Sequence, residues 1–185
     1  AIRHARANAV TASVDRLVQG LSETRGEVRA ACLRTLVLIG DPRVAPSASE
    51  YLHDENEEVR AAAVLAVQKF RYEPALRGLV EGILDETEAL REARAAAICS
   101  FGEAAVPVLV ETLAGPDAPL AAFVTDLLVQ LRDVAAEPVA ALLNRTSAAA
   151  RLVAVRALGP MRNDIATAAL ARAVTDDDQQ VRHEA

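Results

Sequence analysis

A repeat of about 31 residues runs through this chain of 185 residues, and it constrains the fold more than any other feature. Two segments nearly superimpose: VRAACLRTLVLIGD from Val28 and VRAAAVLAVQKFRY from Val59. Related segments begin at Leu90, Leu120, Ala150 and Val181. The steps between successive copies are therefore 31, 31, 30, 30 and 31 residues, and an earlier copy from Ile2 precedes Val28 by 26. Such regular spacing is typical of arrays in which each unit packs only on its neighbours.

Each repeat has the pattern of two helices. In residues 44–53 the apolar side chains recur at helical spacing, and the acidic stretch 54–58 supplies capping oxygens for the helix that follows. That second helix, from Val59 to Phe70, is apolar on more than one face, as expected for a helix with neighbours on both sides. Glycines that favour helix ends recur at Gly40, Gly102 and Gly159.

These patterns predict an all-α fold: an α-solenoid of about six stacked antiparallel helix pairs, forming a single domain over residues 1–185. The second helices are predicted to start near residues 2, 28, 59, 90, 120, 150 and 181.

Composition agrees with this prediction. The chain is 52% hydrophobic but only 3% aromatic, with no Trp, so a compact core filled by large side chains is not expected, whereas thin layers of Ala, Val and Leu are. No apolar run reaches the length of a membrane span. The net charge of −6 opposes general binding to nucleic acid or to an anionic membrane. Cys32 and Cys99 lie in apolar segments without metal-binding spacing, which predicts small buried side chains and a reducing, cytoplasmic location.

The repeated residues resemble a known family. The pattern V-R-x-x-A-x-x-A-L, then I-G-D-P, then D-x-x-x-x-V-R is present at Val28-Arg29, Ile39–Pro42, Asp54 and Val59-Arg60. It is similar to the short HEAT repeat of the phycobilisome-lyase type, over essentially the whole chain. This resemblance implies a right-handed superhelix in which the second helix of each pair lines the concave face. It is specific to the repeat and not to one function, because the family includes chromophore lyases, a metal-dependent hydroxylase and adaptor domains.

An arginine follows the apolar start of almost every second helix: Arg3, Arg29, Arg60, Arg91, Arg151 and Arg182. Acidic residues precede these starts at Glu23, Asp54, Asp85 and Asp176. We predict a structural ladder of Arg–carboxylate pairs that ties successive repeats together. The alternative is a basic stripe that binds phosphates. The column breaks at Ala121, and Arg145 stands at the acidic position of the next repeat, which predicts looser interfaces there.

Side chains two and six positions after each repeat start fall on one side of the second helices. The first column is Ala30, Ala61, Glu92, Ala122 and Leu152, and the second is Arg34, Leu65, Ala96, Asp126 and Arg156. If both columns face solvent, they form a shallow, mildly apolar groove suited to a helix or an extended peptide. If the helical register differs by one residue, some of these positions lie in the core. The candidate partner-binding residues are Arg34, Leu65, Glu92, Asp126, Leu152 and Arg156.

Signals for catalysis are sparse. The resemblance makes His183-Glu184 a candidate iron-binding dipeptide, because the hydroxylase of the family uses several His-Glu pairs, but one dipeptide cannot enclose a metal. Neither His4 nor His53 belongs to such a pair. The acidic stretches 54–58 and 176–178 lack the glycine turn of a calcium loop and are explained as helix caps. We therefore predict no catalytic, cofactor-binding or metal-binding residues.

The leading functional hypothesis is a non-catalytic scaffold that binds a protein or peptide partner along the concave face, with neither nucleic acid nor a membrane as its partner. Neither end of the sequence shows a polar capping repeat, so we expect a fragment of a longer chain that could self-associate through its ends. Two alternatives stay open: an enzymatic module similar to a bilin lyase or an iron-dependent hydroxylase, and a solenoid that binds nucleic acid through the arginine column.

Overall fold

The structure is a computed structural model that describes residues 12–22, 25–145 and 147–185. Within these residues the chain is helical and contains no strand, so the all-α prediction is confirmed. The chain divides into two compact units, Ala1–Ser100 and Phe101–Ala185.

The first unit contains three helix pairs. Its helices are α1 (residues 12–19), α2 (Gly26–Ile39), α3 (Val44–Ser49), α4 (Glu57–Lys69), α5 (Leu76–Val80) and α6 (Glu88–Ser100). The second helix of each pair packs on the second helix of the next, α2 on α4 and α4 on α6, while α3 and α5 pack against α4 and α6. Short connections make the two helices of a pair antiparallel.

The second unit repeats this arrangement. Its helices are α7 (Val106–Leu113), α8 (Ala118–Gln130), α9 (Arg132–Ala141), α10 (Ala148–Leu158), α11 (Asp164–Ala173) and α12 (Gln179–Glu184). The second helices again lie side by side, α8 against α10 and α10 against α12. Each unit is thus a stack of three antiparallel helix pairs, the arrangement of an α-solenoid.

The second helices begin two residues before the predicted repeat starts, at Gly26, Glu57, Glu88, Ala118, Ala148 and Gln179. The difference arises because the first helical turn lies ahead of the apolar residue that marks the repeat. Polar side chains cap several of these starts: Asn56 accepts the N–H groups of Glu58 and Val59, and Asp178 accepts those of Gln180 and Val181. The start predicted near residue 2 lies outside the described residues.

Gly40 and Gly159 both follow the last residue of a helix, as predicted, but in different conformations. Gly40 adopts the left-handed conformation (φ 80°) and its N–H donates to the Leu36 carbonyl, which ends α2. Gly159 is the C-cap residue of α10, which ends at Leu158 as predicted, but it is right-handed (φ −49°) and leads into the 3-10 turn Gly159–Met161. Pro160 is suited to the first turn of a helix, and the left-handed residue comes later, at Arg162 (φ 50°).

The core consists of thin aliphatic layers between neighbouring second helices. Fully buried residues include Leu33 and Leu36 of α2, Val67 of α4, and Leu127 and Leu128 of α8. Cys32 and Cys99 are half-buried, whereas buried side chains were predicted. Among the described residues no single helix is long and apolar enough to cross a membrane; only the segments Glu88–Ser100 and Gly102–Leu113, counted together, meet the length and composition.

Candidate functional site

Three arginines of the predicted column bind a carboxylate in the connection that leads to the next second helix. Arg29 donates from Nε and Nη2 to the two oxygens of Asp54, at 2.9 and 2.8 Å, and both side chains are nearly buried. The same arrangement joins Arg60 to Glu86, with distances of 2.8–3.0 Å, and Arg151 to Asp176, at 2.8 Å for both bonds. A two-point Arg–carboxylate contact fixes direction as well as distance. Each pair therefore sets the position of one repeat on the next.

The arginines also bind the connection that precedes their own helix. Arg60 donates to the carbonyl oxygens of Asp54 at 2.8 Å and Glu55 at 3.2 Å. Arg182 makes the equivalent bonds to Asp176 at 2.6 Å and Asp177 at 2.8 Å. Arg91 donates to the carbonyls of Leu84 and Glu86, and Arg151 to that of Arg145. Arg3 and Glu23 lie outside the described residues.

The sequence predicted Asp85 as the carboxylate that pairs with Arg60. In the structure Glu86 takes this role. Asp85 ends the 3-10 turn Ile83–Asp85 and is exposed, whereas Glu86 comes one residue later and is 8% exposed. In the preceding repeat the 3-10 turn Glu50–His53 ends just before Asp54, so in both repeats the carboxylate that meets the arginine belongs to the residue directly after the turn.

Glu86 also meets Arg94, a residue that sequence reasoning missed. Arg94 of α6 is fully buried and lies 2.8 Å from Glu86. Its guanidinium donates to the carbonyls of Gly78 at 3.1 Å, Glu81 at 2.9 Å, and Leu52. Burial lowers the pKa of Arg94, while the charge of Glu86 acts in the opposite direction. One carboxylate thus bridges two guanidinium groups inside the first unit.

A sequence signal for Arg94 existed in the repeat itself. It stands four positions after the repeat start, where the other repeats carry Cys32, Ala63, Val124 and Ala154. A charged residue in a column of small apolar residues must find partners inside the stack or turn out of it, and here it finds them.

The ladder is interrupted in the second unit, where α8 packs on α10. Ala121 occupies the arginine position and is nearly buried, and Arg145 occupies the carboxylate position and is exposed. Beside Ala121 lies a cavity of about 370 Å³, lined mainly by small side chains of α8 together with Val153 and Arg156 of α10. The interface therefore lacks the Arg–carboxylate pair that Arg151 and Asp176 form in the next repeat.

We call the solvent-facing side of the second helices, at six and ten positions after each repeat start, the second-helix face. At both positions the side chains of α2, α4, α6, α8 and α10 are exposed, and so is Pro160, in the 3-10 turn that follows α10. Six positions after the start lie Arg34, Leu65, Ala96, Asp126 and Arg156, and ten positions after it lie Leu38, Lys69, Ser100, Gln130 and Pro160. The leucines stand out, because Leu38 is 82% exposed and Leu65 is 52% exposed.

The other predicted column is not uniformly exposed. Ala30 is fully buried, because the buried stripe of α2 runs through Arg29, Ala30, Leu33 and Leu36. The opposite side of α2 lines an open groove of about 310 Å³ toward Leu17 of α1. Glu92 is exposed, as a partner-binding residue requires.

Leu152, from the same column, is half-buried and packs on a cluster of Val155, Ala173 and Val181. It also lines a cavity of about 460 Å³ between α10 and α12. Leu152 therefore belongs partly to the core.

Two exposed ion pairs cross between second helices on this face. Arg34 lies 3.4 Å from Glu58, and Arg156 lies 3.1 Å from Glu184. All four side chains are largely in solvent, so these pairs add little stability.

The candidate iron-binding dipeptide lies on α12. His183 is exposed and Glu184 is the partner of Arg156. No group of three or more His, Cys, Asp or Glu side chains suited to a metal occurs among the described residues. His53 lies 3.8 Å from Glu81 with both side chains exposed, and His4 is outside the described part of the chain.

Comparison with known proteins agrees with the repeat geometry. Residues 14–99 match the family model for HEAT repeats. This segment consists of HEAT repeats. The finer assignment to the phycobilisome-lyase type stays a prediction, and no curated protein sequence matches the chain.

Several solved structures are similar in fold to this chain. An engineered protein is 19% identical, with 92% of each chain covered and a TM-score of 0.44. Human deoxyhypusine hydroxylase in complex with glycerol is 26% identical. The match covers 92% of this chain and 70% of the hydroxylase chain, with a TM-score of 0.41. A designed armadillo repeat protein in complex with the peptide (KR)4 is 20% identical. The match covers 91% of this chain and 95% of the designed protein, with a TM-score of 0.41.

The ladder carboxylates predict an acid-sensitive stability. Partial burial alone would raise the pKa of Asp54, but hydrogen bonds from Arg29 and from the Asn56 N–H leave it below its ordinary value. The pKa of Asp176 is lowered by its hydrogen bonds from Arg151 and from the Asp178 N–H. A depressed folded-state pKa stabilises the protein above the unfolded-state value of about 3.9, and this contribution is lost as the pH falls through the folded-state pKa.

We therefore expect the free energy of unfolding to fall as the pH drops below about 4, and to fall less steeply in the double variant Asp54→Asn, Asp176→Asn. Urea unfolding between pH 2 and 7 measures both slopes. The matched control, Asp85→Asn, removes an exposed carboxylate from a corresponding connection and keeps the wild-type slope. Identical slopes in the wild type and the double variant would contradict the prediction.

Proposed function

We propose that this HEAT-repeat chain is a non-catalytic scaffold that binds a protein or peptide partner along its second-helix face. The supporting observation is the pair of exposed leucines, Leu38 and Leu65, on a face that the first helices leave uncovered. Exposed large apolar side chains that stand close together are typical of interaction sites. In the reducing cytoplasm that we propose as its location, Cys32 and Cys99 would remain thiols.

The ladder suits this function because it makes the face rigid. Each Arg–carboxylate pair holds one second helix at a set position relative to the next, so the side chains on the face keep a regular spacing. A surface that is already ordered loses little conformational entropy when it binds. In the first unit the partner would contact Arg34, Leu65 and Glu92, and in the second unit Asp126, Leu152 and Arg156.

The two alternatives have less support. In the described residues the arginines Arg29, Arg60 and Arg151 are engaged by carboxylates, so the column does not offer a free cationic stripe to nucleic acid. For the enzymatic alternative, the candidate dipeptide has an exposed His183 and a Glu184 that already pairs with Arg156.

A matched pair of substitutions tests the proposal. Leu65→Glu places a charge on the second-helix face, and Ile165→Glu places one on a first helix at a similarly exposed position, 45% against 52%. We expect Leu65→Glu to weaken partner capture by about tenfold, the effect of losing one interface hot spot, and Ile165→Glu to leave it unchanged. The measurement is quantitative pull-down with both variants shown by circular dichroism to be folded. Equal loss in the two variants, or no loss in Leu65→Glu, would exclude binding along this face.

A further inference from the structure

The second-helix face of the first unit combines apolar side chains with cations. Arg34 and Leu38 lie one turn apart on α2, and Leu65 and Lys69 lie one turn apart on α4. Since α2 packs along α4, these four residues form two rows, in which each leucine has a cation beside it on the same helix and another across the interface. We call this group the Leu–cation patch. The corresponding positions of α6 are the small residues Ala96 and Ser100.

Contacts hold both cations at the patch. The Lys69 ammonium donates to the Val37 carbonyl, next to Leu38 in the chain, and this bond to a neutral group leaves its charge unbalanced. The Arg34 guanidinium lies 3.4 Å from Glu58, a pair with half or more of each side chain in solvent. An exposed pair of this kind contributes little and exchanges readily with another carboxylate.

The charge of the patch differs from that of the rest of the protein. The chain carries 26 acidic and 20 basic residues, whereas two of the four residues of the patch are cations, one of which, Arg34, is paired with Glu58. The nearest acidic residue beyond the end of α2, Asp41, is bound by Arg43. A partner's carboxylate is therefore attracted to Lys69, and to Arg34 where it replaces Glu58, whereas the net charge of −6 disfavours an acidic partner on the chain as a whole.

From this combination we infer that the Leu–cation patch binds an amphipathic acidic helix of a partner protein, which places apolar side chains on Leu38 and Leu65 and carboxylates beside Arg34 and Lys69. The inference rests on the proposed scaffold function and specifies the chemistry of its partner. We expect the partner segment to be helical. On one face of a helix, its leucines and carboxylates would be spaced three or four residues apart, which matches the spacing of one helical turn between the leucine and the cation on α2 and on α4.

The test uses two synthetic amphipathic peptides with the same leucine pattern, one with glutamate and the other with lysine at the flanking positions. Fluorescence anisotropy with the full chain measures both affinities. We expect the glutamate peptide to bind about tenfold more tightly at low salt, and this preference to shrink as salt screens the charges. Equal affinity, or tighter binding of the lysine peptide, would overturn the inference.

Variants locate the binding. Lys69→Glu should reverse the preference between the two peptides, and Leu38→Ser, at a side chain that is 82% exposed, should weaken both. The control Arg172→Glu, at an exposed arginine on the first helix α11 of the second unit, should leave both affinities unchanged. Binding that Lys69→Glu and Leu38→Ser do not alter would place the peptide elsewhere and refute the inference.

Two further outcomes would also overturn it. The first is Leu38-dependent binding to phosphatidylserine–phosphatidylcholine vesicles without binding of the glutamate peptide, which would make the patch a membrane contact. The second is a dimer in sedimentation that Leu38→Ser dissociates, which would make the occupant a second copy of the chain. If the peptides fail while Leu65→Glu still abolishes partner capture, the scaffold function holds and only the chemistry of the partner is wrong.

Discussion

Arg94→Ala is expected to lower the free energy of unfolding of the first unit by about 3–5 kcal/mol, the usual result of removing one partner from a buried ion pair. The substitution leaves Glu86 buried with only Arg60, and it leaves the carbonyls of Gly78, Glu81 and Leu52 without their donor. It also removes a large side chain from the interior of the stack. Thermal and urea unfolding followed by circular dichroism measure the loss.

Two controls separate the buried network from a general effect of charge. Arg34→Ala removes an exposed guanidinium from an ion pair in the same unit and should cost less than about 1 kcal/mol. Arg94→Lys keeps the positive charge but loses the planar fork, so it should fall between the wild type and the alanine variant. If Arg94→Ala and Arg34→Ala cost the same, the network does not hold the unit together.

The second large effect is expected where the ladder is interrupted. Ala121→Arg together with Arg145→Asp rebuilds the pair that Arg151 and Asp176 make one repeat later. Ala121→Arg alone places two guanidinium groups at one interface and should destabilise the second unit. The double variant should recover that loss, with a coupling free energy of about 2 kcal/mol between the two substitutions.

A double-mutant cycle measured by urea unfolding gives this coupling directly. The cavity of about 370 Å³ beside Ala121 offers space for the longer side chain. The reverse experiment, Arg151→Ala with Asp176→Ala in the same unit, should show coupling of the same sign. If the substitutions at 121 and 145 are additive, the two positions do not face each other as the other pairs do.

The ladder residues and the second-helix face have different roles in each repeat: the first hold neighbouring repeats together, and the second is exposed to solvent. The arginine one position after the repeat start, such as Arg60, donates hydrogen bonds to a carboxylate in the connection that follows its repeat. It also donates to backbone carbonyls in the connection that precedes its own helix. The side chains six and ten positions after the repeat start are exposed to solvent. They differ from repeat to repeat, for example Leu65, Asp126 and Arg156. A regular interior therefore carries a variable surface, which is how a repeat protein can bind a specific partner without a pocket.

The sequence by itself determined the helix pairs, their spacing and the positions of the ladder arginines. It could do so because helix formation depends on neighbouring residues, and because the repeat shows the same local pattern several times over. Among the described residues, each of the six second helices begins two residues before its predicted start. Helical periodicity placed Arg34, Leu65, Asp126 and Arg156 in one column but left open whether that column faces solvent or the core, and the structure exposes it.

The tertiary structure decided which carboxylate meets which arginine and which side chains are buried. The choice of Glu86 over Asp85 depends on where a 3-10 turn ends. The burial of Ala30 and the partners of Arg94 depend on how neighbouring helices place groups that are distant in sequence. The Leu–cation patch likewise exists only because α2 and α4 lie side by side. Local sequence specifies the helices, whereas a shift of one residue, which local sequence hardly penalises, moves a side chain by about 100° around the helix and changes its partners.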